Sequence, residues 1–390
     1  MIIIHKESNK LLISVKYIFY IYLFEKAGLI MEISNLYIYP FTEHTMPLCR
    51  FNDRLQQFDH VIPIVPHEFG FLGGDAGIVD KGPPIGAIIE EVIPQNISKS
   101  DALLLCDPTN SVVSALPYQK QIQVAQELGI RFLASKKIVT LLKMNGIDGE
   151  IVDYPDIEID LKGYRNLQDI SVPVIIILGT GKGCGKFNTQ LMVSEMFIRA
   201  GYRVAQIASK EYSSLFGISP FPSFMFDESK SSLEKIQKLN QFAVDLIDQK
   251  NAEVLIVGVP GGIMPISKFE FDEFGELAYL VSHAIPSDIG ILNVYYQEYN
   301  AEILKTLIKL CKFKFNVKIK IISVSNKVLY ISPEEKRTCD FYIPYKKVSV
   351  NNSIAESFFS DAFLLNPYDN NSLVEAKNII MEELTDKLFL

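Results

Sequence analysis

Residues 174–189 read V-I-I-I-L-G-T-G-K-G-C-G-K-F-N-T. The first five are all aliphatic, as in a parallel strand that is buried on both faces. The alternating glycines that follow allow positive φ angles and bring successive backbone N–H groups towards one anion. A helix is predicted to begin after them, and the positive end of its dipole adds to that attraction. The stretch therefore predicts a phosphate-binding loop between a strand and a helix.

The loop and the first turn of the helix supply the predicted ligand contacts. We expect Lys186 to reach the terminal phosphates and, with Lys182, to stabilise charge on a transferred phosphoryl group. The helix should bury one stripe of side chains and end at Gly201; the stripe consists of Phe187, Leu191, Ser194 and Ile198. The predicted nucleotide-binding residues are Gly179, Thr180, Gly181, Lys182, Gly183, Cys184, Gly185, Lys186, Phe187, Asn188 and Thr189. The alternative is a glycine-rich turn that binds nothing.

The loop departs from the common pattern G-x-x-x-x-G-K-[ST] in two places. Its first glycine, Gly179, lies one residue early, and Phe187 replaces the hydroxyl residue that normally ligates Mg²⁺. The metal would then be bound by Asn188, by Thr189, or more weakly.

The strand that normally carries the second metal anchor also lacks it. Residues 253–262 read E-V-L-I-V-G-V-P-G-G, and Gly258 stands where an acid usually ends the apolar run. Because both usual anchors are replaced, the sequence supports nucleotide binding better than hydrolysis.

The early glycine has parallels in known loops. G-T-x-x-x-x-G-K resembles the loop of dethiobiotin synthetase, and G-T-G-K-x-x-G-K resembles that of cyclic 2,3-diphosphoglycerate synthetase. The resemblance implies ATP and Mg²⁺ as cofactors, and a lysine and an acid just past the next strand, residues 203–208. Lys210 and Glu211 fit those places, as a phosphate contact and as a metal or water ligand; an exposed ion pair is the alternative. The predicted catalytic residues are Lys186, Lys210 and Glu211, and the predicted metal ligands are Thr189 and Glu211.

The whole chain has 390 residues, enough for two or three domains with substantial cores. Short apolar runs alternate with amphipathic ones, which predicts an α/β fold with two open, mostly parallel sheets. We predict a Rossmann-like domain at residues 31–165 and a P-loop NTPase-like domain at residues 170–390. Residues 1–30 contain an apolar run and are either an over-extended translation start or a hydrophobic anchor. The strands predicted in the first domain are residues 36–39, 60–65, 101–106 and 130–133.

Charge and cysteine content restrict the class of protein. A net charge of −8 argues against a general binder of nucleic acid or of anionic membranes, because both need a clustered basic surface. We expect no membrane association unless residues 1–30 are genuine. The five cysteines form no C-x-x-C pair, so neither a zinc site nor a disulfide framework is indicated, and a reducing cytoplasm fits best. The oligomeric state is left open, with a homodimer as one option.

Polar residues outside the loop give further candidates. Asp75 and Asp80 lie in a glycine-rich stretch, either as ligand contacts or as solvated turn carboxylates. Asn326 follows an apolar strand, where related P-loop proteins contact the base. Lys314, Lys318 and Lys320 alternate with apolar residues, a pattern typical of an edge strand with one face in solvent; a basic binding ridge is the alternative.

Five segments together resemble one family: L-Y-I-Y-P-F-T, M-P-L-C-R-F-N-D-R-L, G-G-D-A-G-I-V-D, G-T-G-K-G-C-G-K and V-G-V-P-G-G-I-M-P. They are similar to segments of the clostridial peptide maturation system proteins, which are found with Cys-rich peptides and a radical-SAM maturase. The resemblance covers residues 31–390 and implies a role in making a ribosomally synthesised, modified peptide, without indicating the step. A precursor peptide and a radical-SAM maturase are the implied partners.

Three functions are compatible with these features. An ATP-dependent maturation enzyme would bind Mg-ATP in the second domain and activate a carboxylate or phosphate, while the first domain presents the peptide. A nucleotide-sensing scaffold would bind ATP without turnover, which suits the absent acid and hydroxyl. A metabolic ATP-dependent synthetase would act on small molecules between the domains.

Overall fold

A computed structural model describes residues 33–55, 58–67, 70–94, 100–107, 116–144, 150–159, 161, 166–348 and 362–388. The translation start or anchor predicted at residues 1–30 lies outside these ranges. None of the helices inside them is long and apolar enough to span a membrane.

The first sheet has five parallel strands in the order β2-β1-β3-β4-β5. All four strands predicted for this region are present, with ends that differ by at most three residues. The strands are β1 (Ile33–Tyr39), β2 (Phe58–Pro63), β3 (Ala102–Leu105), β4 (Arg131–Ala134) and β5 (Glu150–Ile151). The helices of this region are α1 (Met46–Arg50), α2 (Leu116–Leu128) and α3 (Lys136–Met144).

The second sheet has seven parallel strands in the order β14-β11-β10-β6-β9-β7-β8. They are β6 (Val174–Gly179), β7 (Val204–Ala208), β8 (Ser219–Pro220), β9 (Val254–Gly258), β10 (Ile289–Val294), β11 (Ile319–Val324) and β14 (Phe363–Leu365). A separate antiparallel hairpin is formed by β12 (Lys327–Ser332) and β13 (Arg337–Tyr342). The remaining helices are α4 (Lys186–Arg199), α5 (Ser232–Lys250), α6 (Glu276–Ala284), α7 (Ala301–Phe315) and α8 (Asn370–Leu388).

The predicted fold class is confirmed: the protein is α/β, with two open parallel sheets. Strand β6 lies in the middle of the second sheet, and all six of its residues are buried, as its unbroken aliphatic sequence predicts. Since the strands are parallel, their carboxyl ends meet at one edge of the sheet. The loop that follows β6 therefore lies beside the loops that follow its two neighbours, β9 and β10.

A shared hydrophobic cluster joins the two sheets. Leu36 and Ile38 of β1 belong to it, together with Phe187 and Leu191 of α4. Arg54 adds a polar contact from the first region, because its guanidinium donates to the carbonyl oxygen of Leu191 at 2.6 Å and to the hydroxyl of Ser194 at 2.8 Å. Helix α4 is therefore packed against both halves of the chain. The domain boundary between residues 165 and 170 stays a prediction.

Two predictions about individual side chains are wrong. In α4, Ile198 is 45% exposed and Phe197 is buried instead, because the last turns of the helix pack Val193 and Phe197 into the cluster that contains Ile175 and Ile177 of β6. Strand β11 is not an edge strand, since it pairs with both β10 and β14. Lys318 and Lys320 instead form ion pairs with Glu383 of α8, and Lys314 lies in α7 rather than in a strand.

Candidate functional site

The glycine-rich loop runs from the end of β6 to the start of α4, as predicted. Gly183 has a φ angle of +76° and Gly185 one of +88°, which side chains with a Cβ rarely adopt. Gly179 is needed for a different reason: a Cβ there would lie 2.4 Å from the sulfur of Cys184. The loop can thus close tightly only with glycine at these positions.

The loop presents unused hydrogen-bond donors. Within the described part of the chain, no protein atom accepts a hydrogen bond from the backbone N–H groups of residues 181–188. The next N–H group along the chain, that of Thr189, donates to the carbonyl oxygen of Gly185 at 3.0 Å. Consecutive N–H groups at a helix N-terminus form a favourable place for an anion.

Lys186 places a cation at the centre of this loop. Its side chain is buried, and its Nζ donates to the carbonyl oxygens of Gly181 and Gly261, each at 2.7 Å. Gly261 belongs to the P-G-G turn after β9, so the ammonium joins that turn to the loop. Among the described residues, no carboxylate lies within ion-pair distance of Lys186. The positive charge is thus available to a phosphate.

The two residues that replace the usual metal anchors, Phe187 and Gly258, are each explained by packing. The ring of Phe187 packs edge-on against Phe216 and Tyr212, with ring centroids 5.7 and 5.9 Å apart, inside the cluster shared by the sheets. At Gly258, a Cβ would lie 2.1 Å from Oε1 of Gln190. The space of the usual acidic side chain is therefore filled by a glutamine from α4.

Thr189, a predicted metal ligand, lies in a buried polar network. Its hydroxyl accepts a hydrogen bond from Asn293 at 2.7 Å and lies 3.2 Å from the hydroxyl of Ser323. Both partners belong to the neighbouring strands β10 and β11. These bonds use the hydroxyl inside the protein, so we do not assign the metal to it.

Lys210 and Glu211 are joined through a histidine that the sequence did not indicate. Nζ of Lys210 lies 2.8 Å from Nδ1 of His44, and Nε2 of His44 lies 2.9 Å from a carboxylate oxygen of Glu211. Since a charged lysine can only donate, Nδ1 is the acceptor and Nε2–H donates to Glu211. Tyr212 positions the same loop by donating to the carbonyl oxygen of His44 at 2.6 Å. The two residues are therefore partly buried and paired, rather than an exposed Lys–Glu pair.

Burial and neighbouring charges change the acidity of both Lys210 and Glu211. Burial lowers the pKa of Lys210 to about 8, and the nearby charges of Lys327 and Lys186 act in the same direction. Burial alone would raise the pKa of Glu211, but the hydrogen bond from His44 and the positive charge of Lys210 lower it to about 2. His44 could not be found from the sequence, because it lies in the loop after β1, far along the chain from Lys210.

A third lysine lies against the loop from the β12–β13 hairpin. Lys327 is buried, and its Nζ lies 2.9 Å from Asp340 and 3.1 Å from Glu43. A Cβ on Gly183 would lie 3.3 Å from the same ammonium. The hairpin therefore brings a compensated positive charge next to the glycine-rich loop.

Asp272 is a buried acid beside the loop that the sequence also did not indicate. Its side chain has no exposed surface, and neither carboxylate oxygen has a hydrogen-bond partner. The closest cation is Lys182, whose Nζ lies 3.6 Å away. Burial raises the pKa of Asp272, while the charges of Lys182 and Lys186 oppose that effect. Asp272, Glu273 and Phe274 have φ angles of +43°, +50° and +54°, a conformation that costs about 1–3 kcal/mol per residue.

The other sequence candidates have structural partners. Asp75 is a half-exposed turn carboxylate that accepts hydrogen bonds from the backbone of Gly77, Ile85 and Gly86, whereas Asp80 is buried and pairs with Arg50 at 2.6 Å. The amide of Asn326 donates to the carbonyl oxygens of Asp80 and Ile343 and accepts from the hydroxyl of Tyr368. With its donors and acceptor engaged, Asn326 does not have the free amide that contact with a base would need.

No ready-made metal cluster is present in the described ranges, where no three His, Cys, Asp or Glu side chains lie close enough to bind one ion. A cation here would need oxygen ligands from a bound phosphate as well.

Comparison with known proteins supports the fold. A DUF1611 family protein from Anabaena variabilis has the same arrangement, with a TM-score of 0.57 and 11% identity over 90% of this chain and 99% of that chain. Because the match spans nearly the whole of both chains, it includes both sheets. At this identity it shows the fold alone. No protein-family model matches the chain, and no curated protein does.

Two further structures give slight matches. One is a nucleotide-binding protein from Archaeoglobus fulgidus in complex with ADP, with a TM-score of 0.29 and 15% identity over 55% of this chain and 90% of that chain. The other is the 54 kDa signal recognition particle protein from Aeropyrum pernix in complex with GDP, with a TM-score of 0.28 and 14% identity over 72% of this chain and 57% of that chain.

Proposed function

We propose that the glycine-rich loop binds the phosphates of a nucleotide, and that ATP is this nucleotide. The observation that supports this most directly is the set of unused backbone N–H groups at residues 181–188, which surround a buried lysine without a carboxylate partner. A phosphate would accept from those N–H groups and neutralise Lys186. A structural turn would have no need of either feature.

We propose further that the bound nucleotide activates a second substrate. The loop after β1 contacts the loop after β7 through His44, Lys210 and Glu211. The positive charge of Lys186 is close enough to lower the pKa of Lys210. An acceptor carboxylate or phosphate would lie near Lys210, while Lys186 and Lys182 would stabilise charge on the transferred phosphoryl group. The first sheet would present the acceptor to the nucleotide.

The identity of the acceptor is the finer part of the proposal. Five sequence segments resemble the clostridial peptide maturation system proteins, and that resemblance supports a precursor peptide as substrate and a radical-SAM maturase as partner. An ATP-dependent synthetase for small molecules is the alternative within the same chemistry.

A nucleotide-sensing scaffold is the second candidate. Phe187 and Gly258 favour it, since neither can bind a metal. Asp272 favours turnover instead, because an acid without a hydrogen-bond partner lies beside the loop.

Binding and turnover of ATP by the full chain test these proposals. We expect ATP to bind with Mg²⁺ present and Lys186→Ala to weaken binding at least tenfold, about 1.4 kcal/mol. Lys309→Ala, which removes an exposed lysine from α7, is the matched control and should bind as the wild type does. Release of ADP would support the enzyme, and binding without release would support the scaffold. Wild-type protein that binds no nucleotide would disprove the phosphate-binding function.

A further inference from the structure

Asp272 differs from the other buried acids of this protein. Asp101 accepts hydrogen bonds from the backbone and side-chain amides of Asn35, and Asp80 pairs with Arg50 and accepts from the backbone of Gly82. Both oxygens of Asp272 lack a hydrogen-bond partner, although the side chain is completely buried. Because an isolated buried carboxylate is unfavourable, such a group in a folded protein calls for a ligand.

The carboxylate faces the glycine-rich loop. A Cβ on Gly262 would lie 2.5 Å from one of its oxygens and 3.0 Å from Cα of Gly181. Gly262 follows Gly261, whose carbonyl oxygen accepts from Lys186. Asp272 thus lies where the P-G-G turn and the loop touch, and the glycine at position 262 leaves it room.

Lys182 does not satisfy this carboxylate. Its Nζ is 3.6 Å away, beyond hydrogen-bond distance, and its side chain is 62% exposed, so solvent competes for the ammonium. A purely structural ion pair would bring the two groups into contact. The observed separation instead leaves both carboxylate oxygens buried without a hydrogen-bond partner.

We propose that Asp272 is the acidic ligand of the divalent cation that accompanies the nucleotide phosphates, in place of the acid that is absent at Gly258. This inference rests on the proposed nucleotide site. When bound, such a cation would neutralise negative charge on the phosphates. Asp272 would bind it directly or through water, and Gln190 would keep the usual position closed.

Binding of ADP by the full chain, measured in EDTA and again with Mn²⁺, separates the two proposals. In EDTA, wild type and Asp272→Asn should bind ADP equally, or the variant should bind more tightly, because it lacks a negative charge near the phosphates. With Mn²⁺, wild type should gain at least tenfold in affinity and Asp272→Asn less than twofold. The matched control is Glu273→Gln, which alters the next, exposed side chain of the same turn and should keep the full gain.

Each other result has a distinct meaning. If Asp272→Asn keeps the full Mn²⁺ gain, or if wild type gains nothing from Mn²⁺, the inference about Asp272 is wrong while nucleotide binding stands. If wild type binds no ADP under either condition, the proposed function fails and the inference fails with it.

A second measurement needs no variant. In wild-type protein carrying ¹³C-labelled aspartate, bound Mn²⁺·ADP should show a hyperfine coupling to a carboxylate carbon. The absence of that coupling would overturn the inference even if Asp272→Asn did not fold.

Discussion

At the scale of single residues, Phe187 explains why the loop lacks its usual hydroxyl. The position after the loop lysine points into the cluster shared by the two sheets, where the ring contacts Phe216 and Tyr212. A serine there would be too small to fill the space and would bury an unpaired hydroxyl. The same side chain thus removes a metal ligand and stabilises the contact between the halves of the chain.

Phe187→Ser should therefore destabilise the fold without repairing the metal site. We expect the free energy of unfolding to fall by about 3–5 kcal/mol, the range for loss of a buried aromatic ring. Urea unfolding followed by circular dichroism measures the change. Phe313→Ser, at a side chain that is 79% exposed, is the control and should change stability by less than about 0.5 kcal/mol. A similar small loss for both variants would show that Phe187 does not stabilise the contact.

At the scale of elements, α4 and β9 are fitted to each other through Gln190 and Gly258. The side-chain N–H of Gln190 donates to the carbonyl oxygen of Ile207 at 3.1 Å. Oε1 of the same side chain occupies the space that a side chain at position 258 would need. Helix α4 can pack this closely on the sheet because β9 ends in glycine. The absent acid at the end of β9 is thus a consequence of packing.

Gly258→Asp should restore the usual acid only if Gln190 is shortened. Alone, Gly258→Asp should lower the free energy of unfolding by about 1–3 kcal/mol through overpacking. In a Gln190→Ala background the same substitution should cost at least about 1 kcal/mol less, which a double-mutant cycle of urea unfolding measures. If the two changes are additive, Gln190 and position 258 do not compete for the same space.

At the scale of the whole molecule, His44 connects the carboxyl edges of the two sheets. It comes from the loop after β1 and lies between Lys210 and Glu211, which follow β7. Because Glu211 has a pKa of about 2 in the folded protein, below its ordinary value of 4.5, its charged form favours folding. The contact stabilises the fold above pH 4.5, and this contribution is lost as the pH falls towards 2.

Glu211→Gln should therefore make the protein less stable near pH 7 by about 2 kcal/mol and less sensitive to acid. The difference in free energy of unfolding between wild type and variant should shrink as the pH falls from 4.5 to 2. Denaturant unfolding at a series of pH values measures it, and Glu298→Gln, at an exposed acid, is the control. A difference that stays constant with pH would contradict the assigned contact.

Local features of the sequence were enough to predict several parts of the site. The aliphatic run of β6, the loop glycines and Lys186 lie next to one another in the chain, so their geometry follows from backbone conformation and hydrogen bonding alone. Asn251 and Gly201 end α5 and α4 for the same local reason, since both adopt positive φ angles after the last turn. Four strands of the first sheet were predicted from short runs of apolar residues.

The sequence by itself determined the fold class, the position of the loop and the lysine at its centre, because each depends on residues a few positions apart. Only the tertiary structure decided which distant side chains surround that loop. His44, Lys327 and Asp272 lie near it and come from three separate segments. Their spacing along the chain does not predict that they come together. The structure also decided that Gln190 fills the position beside Gly258, because close packing between a helix and a sheet depends on the shapes of both partners.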